Sequence, residues 1–400
     1  MSLESKLRRI IGTDTIKPVP KVKSESIQID RLIDGDWVEC DSARVFIREH
    51  ESNAEKVTGD NLQTMQSVCE LSKTPLAENL LFLDTETTGL AGGTGTFAFM
   101  VGIGRLSSGK FITTQYFMPG FGDESLMLEE IAGRIEHDDV LVTFNGKTFD
   151  IPLLETRYLI NRLKNPFQME HIDLLHYARV IWRDTLDSCS LQSLERNILE
   201  LHRFNDTPGY MIPQLYFDYI RRGTPDAMPG VFEHNVIDIE SMHRILIRIA
   251  DILDNPNSRH FDSPLEQLRV ARYHRNKGRM QSALEFLCNA TDTQDNRLRD
   301  RAHHEIAFIH KQKGDYQSAF ECFSKVTSCP DLTVSASVEM AKHLEHRVKD
   351  YQGALELTMK AIQTYKTERA FGTHTGRDII SALYHRQNRL LSRLRKMQSG

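Results

Sequence analysis

Apolar residues follow two rhythms along this chain. Between residues 80 and 144 they come as short unbroken or nearly unbroken runs, at 80–83, 97–103, 111–117 and 140–144. Runs of this length, rich in Phe, Ile and Val and separated by glycines, predict strands joined by turns. A helical period over 125–135, and again from Asp150 onward, predicts helices among the later strands. Three strands in succession, then alternating helices and strands, describe a mixed α/β sheet. Upstream, 44–48 alternates as a short strand does and 61–72 reads as a helix. Residues 1 to about 35 are polar, with Lys17, Lys21 and Lys23 around Pro18 and Pro20, and are expected to form a loose arm.

After about residue 264 the strand-like runs stop and an internal repeat begins. Its copies are Lys277-Gly-Arg-Met-Gln-Ser-Ala283, Lys313-Gly-Asp-Tyr-Gln-Ser-Ala319 and Val348-Lys-Asp-Tyr-Gln-Gly-Ala354. The alanines lie 36 and 35 residues apart. A small residue after a Gly/Asp turn lets paired amphipathic helices approach closely. At this period the pattern resembles tetratricopeptide repeats, and that resemblance implies a surface for a protein partner.

Composition alters this picture only slightly. A chain of 400 residues with 40% hydrophobic and 26% charged residues is globular, with two or three domains expected. No apolar run reaches membrane length and the N-terminus has no signal-peptide core, so the expectation is a cytoplasmic protein with no membrane partner. Six dispersed cysteines without a Cys-x-x-Cys pair predict reduced thiols and no zinc site. The net charge of −5 is unevenly spread. Residues 265–400 hold 23 Lys+Arg against 15 Asp+Glu, leaving 27 against 40 in the remainder. An acidic body beside a basic tail fits metal-dependent chemistry next to phosphate binding.

The acids of interest each end an apolar run. Asp84 and Glu86 alternate onto one face at the end of the first strong strand. Two carboxylates so placed repel each other unless a cation lies between them, and magnesium or manganese prefers such oxygens. Asp150 follows the 140–144 run through Phe144-Asn145-Gly-Lys-Thr-Phe149, and a helix-capping role also fits it. Thr85, Asn145 and Phe149 are the candidate substrate contacts, although Asn145 equally suits the turn. His234 and Asp238 are four apart on one helical face, where a carboxylate can complete a metal site and an imidazole can take a proton. Asp173, after His171, fits a metal neighbour, a supporting residue or a helix cap. The glycine-rich 91–96 segment lacks the Gly-Lys-Ser/Thr ending of a nucleotide loop and reads as turns.

This order of acids resembles the ribonuclease H-like exonucleases of the DEDD type, and the segment 144–152 also resembles the second exonuclease motif of family B DNA polymerases. The likeness is fuller to YprB-like bacterial proteins, over roughly residues 80 to 250. It is carried by His171-Ile-Asp173-Leu-Leu, Leu191-Gln-Ser-Leu-Glu195, Pro208-Gly-Tyr-Met-Ile-Pro213 and His234-Asn-Val-Ile-Asp238. The resemblance implies a ribonuclease H-like mixed-sheet domain at 76–255, after an arm and accessory segment at 1–75 and before a tetratricopeptide-like all-α domain at 265–400. It implies a 3′→5′ exonuclease acting on single-stranded DNA or RNA with two magnesium or manganese ions. Asp84, Glu86, Asp150 and Asp238 match the metal-binding acids, and His234 matches the general base. One departure stands out: such enzymes with a histidine base space it further from the last aspartate, and this chain carries histidine at the spacing typical of tyrosine. A structure-selective endonuclease and an inactive platform whose repeats bind a partner are the alternatives.

Overall fold

A computed structural model describes residues 29–89, 95–204, 206–223, 225–370 and 379–398. Most of the expected arm and residues 91–94 of the glycine-rich segment lie outside the described residues. Seven strands form one sheet in the order β1-β2-β5-β4-β3-β6-β7. They are β1 (Asp36–Cys40), β2 (Ala43–Asn53), β3 (Leu80–Thr87), β4 (Ala98–Ser107), β5 (Lys110–Phe117), β6 (Val140–Thr143) and β7 (Glu170–Asp173). Pairings are antiparallel except β3 with β6 and β6 with β7. The mixed sheet is therefore as expected.

The N-terminal segment departs from expectation. β1 and β2 fall in the stretch read as accessory, yet β2 pairs with β5 along eight register positions and extends the sheet. Ile29 and Ile33, placed in the loose arm by their polar surroundings, are buried in the same apolar cluster as Val45 and Phe46. An apolar pair four residues apart was enough to anchor that segment.

The helices of the sheet domain are α1 (Gly59–Cys69), α2 (Glu124–Ala132), α3 (Asp150–Ile160), α4 (Leu174–Trp182), α5 (Leu191–Ile198), α6 (Ile212–Arg222) and α7 (Met228–Asp254). The 27-residue α7 packs across β3, β4 and β5. Two glycines on β4 permit this approach. A Cβ at Gly102 would lie 2.2 Å from Asn235 Oδ1, and one at Gly104 would lie 2.4 Å from Ile239 Cγ2. Further along α7, His243 stacks on Phe111 with ring centroids 4.7 Å apart.

Seven helices follow: α8 (Pro264–Asn276), α9 (Met280–Ala290), α10 (Asn296–Gln312), α11 (Tyr316–Ser324), α12 (Pro330–His343), α13 (Tyr351–Ala370) and α14 (Ile380–Gln398). Ala283, Ala319 and Ala354 are all buried, as the repeat predicts. The turns inside the pairs share left-handed backbone at Gly278 (φ 77°), Gly314 (φ 82°) and Lys349 (φ 65°). The first pair continues the core of the sheet domain. Leu268, Val270 and Phe286 belong to one apolar cluster with Phe82, Trp182, Leu246 and Leu253. Polar contacts reinforce the join, with Tyr273 Oη donating to Val68 O at 2.9 Å and Arg269 Nε to Val180 O at 2.8 Å. Among the described residues no helix is long and apolar enough to cross a membrane, and the six cysteines are unpaired.

Candidate active site

β3 supplies the first two acids through its sequence alone. Leu80–Leu83 are buried, and the strand then turns polar at Asp84, Thr85 and Glu86 while still paired with β4. Asp84 stands opposite Gly102, and the room left by that glycine admits the Asn235 side chain. Asn235 Nδ2 donates to Asp84 Oδ2 at 2.9 Å, and its own Oδ1 accepts from Gln115 Nε2 at 2.9 Å. Both Asn235 and Gln115 are fully buried, so Asp84 is held by a fixed chain of amides.

Asp150 opens α3 as its first residue instead of capping it. Its Oδ1 accepts from Thr85 Oγ1 at 2.5 Å, so the residue between the two β3 acids anchors the third. Asn145, left-handed at φ 68°, holds the preceding turn: its N–H donates to Asp173 Oδ1 at 2.8 Å and its Oδ1 accepts from Thr148 Oγ1 at 2.8 Å. Asp173 is the N-cap of α4 and accepts from the N–H groups of Asn145, Lys147 and Leu175. Of its three expected roles, the cap is the one its contacts display. Phe149 is 55% exposed beside Asp150.

α7 contributes His234 and Asp238, with His234 Nε2 lying 3.8 Å from Asp238 Oδ2. The histidine is buried, and its Nδ1 faces Asp206 Oδ1 at 2.9 Å. Arg203 joins the group. It binds Glu195 through two nitrogens, reaches Asp206 at 3.1 Å and pairs with Asp238. Sequence reasoning missed Arg203 and Asp206, which sit in an aperiodic loop. Glu195 and Asn235 were visible only as members of a shared pattern.

Burial and mutual repulsion dominate the electrostatics. Burial raises the Asp84 carboxyl well above the usual range, and Asp238 and Asp150 raise it further. Glu86 is raised in the same way by burial and then by Asp84, Asp238 and Asp150. Burial lifts Asp150 to about 6, partly offset by the Thr85 hydrogen bond. It lifts Asp238 as well, opposed by His234 and Arg203. Asp84 and Glu86, raised by burial and by the acids around them, are the carboxylates that a cation would relieve. Their hard oxygen donors fit magnesium or manganese. Among the described residues, however, no three His, Cys, Asp or Glu side chains converge closely enough to hold a metal ion as they stand. Asp238 meets Arg203 instead.

A family model described as the RNase_H superfamily matches residues 81–250. The protein YprB of Bacillus subtilis (strain 168) is 31% identical over 292 residues, which cover 71% of this chain and 69% of that protein. The chain belongs to the YprB family of the ribonuclease H superfamily. For this YprB-family chain, the superfamily match opens inside β3 and closes inside α7, and so encloses all four acids and His234. Strands β1 and β2 and the helical repeats lie outside that span. The ribonuclease H-like fold suggests a phosphodiester hydrolase.

Proposed function

We propose that this YprB-family protein is a metal-dependent 3′→5′ exonuclease of single-stranded nucleic acid. One observation carries the reading: acids from β3, α3 and α7 gather at one site, with Asn235 on Asp84, Thr85 on Asp150 and a histidine beside Asp238, and the later acids raise the carboxyls of Asp84 and Glu86. Asp84, Glu86 and Asp238 are the residues that would hold one ion, and Asp84 with Asp150 a second. Divalent ions bound there supply Lewis-acid polarisation of the phosphoryl oxygens and lower the pKa of a water.

The chain's own residues do the rest. His234 is the proton acceptor, because Asp206 at Nδ1 leaves Nε2 on the side of Asp238. Asn235 fixes the orientation of Asp84, and Thr85 fixes that of Asp150. The helical array is read as tetratricopeptide-like, a surface for a protein partner. An inactive platform is the second reading, favoured by Arg203, which already brings a positive charge to Asp238.

The deciding experiment follows 5′-labelled single-stranded DNA and RNA in manganese or magnesium, beside Asp84→Ala. A ladder shortening from the 3′ end, absent in the variant, is the expected result. Internal cuts would point to an endonuclease. Activity retained in Asp84→Ala would remove the assignment, and no cleavage by a folded protein would favour the platform.

A further inference from the structure

We infer that the surface around the acid cluster is a track for an unpaired strand, with aromatic rings for its bases and a ridge of free cations for its phosphates. The inference rests on the exonuclease reading above and adds the surface that selects the substrate.

The three most exposed aromatic side chains among the described residues adjoin, in sequence, residues at or against the cluster. Phe149 (55% exposed) precedes Asp150, and Phe204 (89%) follows Arg203, which pairs with Asp238. Tyr210 (76%) follows Gly209, whose Cβ position lies 3.7 Å from His234 Nε2. Single exposed aromatics are ordinary; three on segments that carry site residues are the ones a ligand at that site can reach. They come from two segments that reach the cluster by different elements, the loop before α3 and the loop between α5 and α6. A flat ring left in water beside a buried acid cluster suits a base that has lost its stacking partner.

The phosphate side begins in the same loop as Phe149. Asn145, Lys147, Asp173, His176 and Arg179 line an open groove of about 380 Å³. Arg179 and Arg183 are four apart on the exposed face of α4 and its end, one helical turn from each other. No acid within salt-bridge distance pairs with Lys147, Arg179 or Arg183 among the described residues. The groove's one acid, Asp173, already accepts from three backbone N–H groups. From His176 to Arg183 the helix runs about 10 Å, the length of about three phosphates along a stacked strand. A polyanion is the ligand such a ridge complements. Bases held on open rings require that polyanion to be single-stranded.

Two variants separate the halves, each made in the full chain with Asp84→Ala so that bound strands survive. The probe is a short 5′-labelled oligothymidylate titrated over a range of salt. Removing Lys147, Arg179 and Arg183 together (each to Ala) is expected to lower the slope of log affinity against log salt by about 2. Phe204→Ala with Tyr210→Ala is expected to weaken binding at least about thirtyfold at every salt concentration and leave the slope alone. Phe204→Trp with Tyr210→Trp should restore the affinity, which a folding defect would not allow. Either Ala variant binding as its parent does, or a blunt duplex losing affinity equally on removal of the rings, overturns the proposal. The 3′ ladder is read separately in the chain with Asp84 intact, so failure of the exonuclease reading is distinguishable from failure of the track.

Discussion

Gly102 illustrates how much of the site hangs on a missing side chain. Any Cβ there meets Asn235 Oδ1 at 2.2 Å, and Asn235 is what holds Asp84. Gly102→Ala is therefore expected to cost about 1–3 kcal/mol of stability in urea unfolding, as overpacked cores do, and to lower hydrolysis far more than that loss explains. His243 allows a pH test remote from the acids. It is buried with Nε2 unpartnered, and burial pushes its pKa down to about 4. Above the unfolded value, near 6.5, the folded and unfolded rings are both neutral. As pH falls from there toward 4, the unfolded ring takes a proton that the folded one refuses, so stability drops by up to about 3 kcal/mol. In His243→Phe, thermal melts between pH 7 and about 4 should fall less steeply than in the parent. Asp150 behaves oppositely to an ordinary surface acid. With its carboxyl lifted to about 6, manganese binding near that pH should release protons, visible as a buffer-dependent heat in titration calorimetry.

At the scale of the element, the turns of the helical pairs offer a matched comparison. Gly278 and Gly314 take left-handed backbone freely, whereas Lys349 bears the same conformation with a side chain. Gly314→Ala should destabilise by about 1 kcal/mol and Lys349→Gly should stabilise by a similar amount, measured by urea unfolding. Legibility in the sequence follows the same physics. β3, β4, β5 and β6 are buried by helices and read directly as apolar runs. β2 was recognised only at 44–48, because Glu49, Glu51 and Asn53 continue it with polar residues on a part-exposed strand. β1 is polar at Asp36 and Glu39 and went unread. Asp84 and Glu86 were visible at the end of a buried run, Asp150 through the motif that follows the 140–144 run, and Asp238 through its spacing from His234. Arg203 and Asp206 were not, because their loop has no period and their partners His234 and Asp238 are distant in sequence.

Across the whole molecule, the expected boundary between 255 and 265 cuts through shared packing. Leu268, Val270, Phe286 and Leu287 sit in the cluster that buries Ile249, Ile252 and Leu253. At about 2 kcal/mol for each large apolar side chain, losing these four approaches the whole margin of a typical domain. A chain ending at residue 255 should thus aggregate or melt well below the full protein, while one ending at 326 should melt close to it, as read by differential scanning fluorimetry. The shared packing also sets a timetable for the nascent chain. The ribosome delivers Asp84 and Asp238 well before Leu287, so the face that backs the acid cluster stays uncovered while the next helices are translated. A stall before α9 would therefore leave that face exposed, a greasy surface for a chaperone to hold until the next helices arrive.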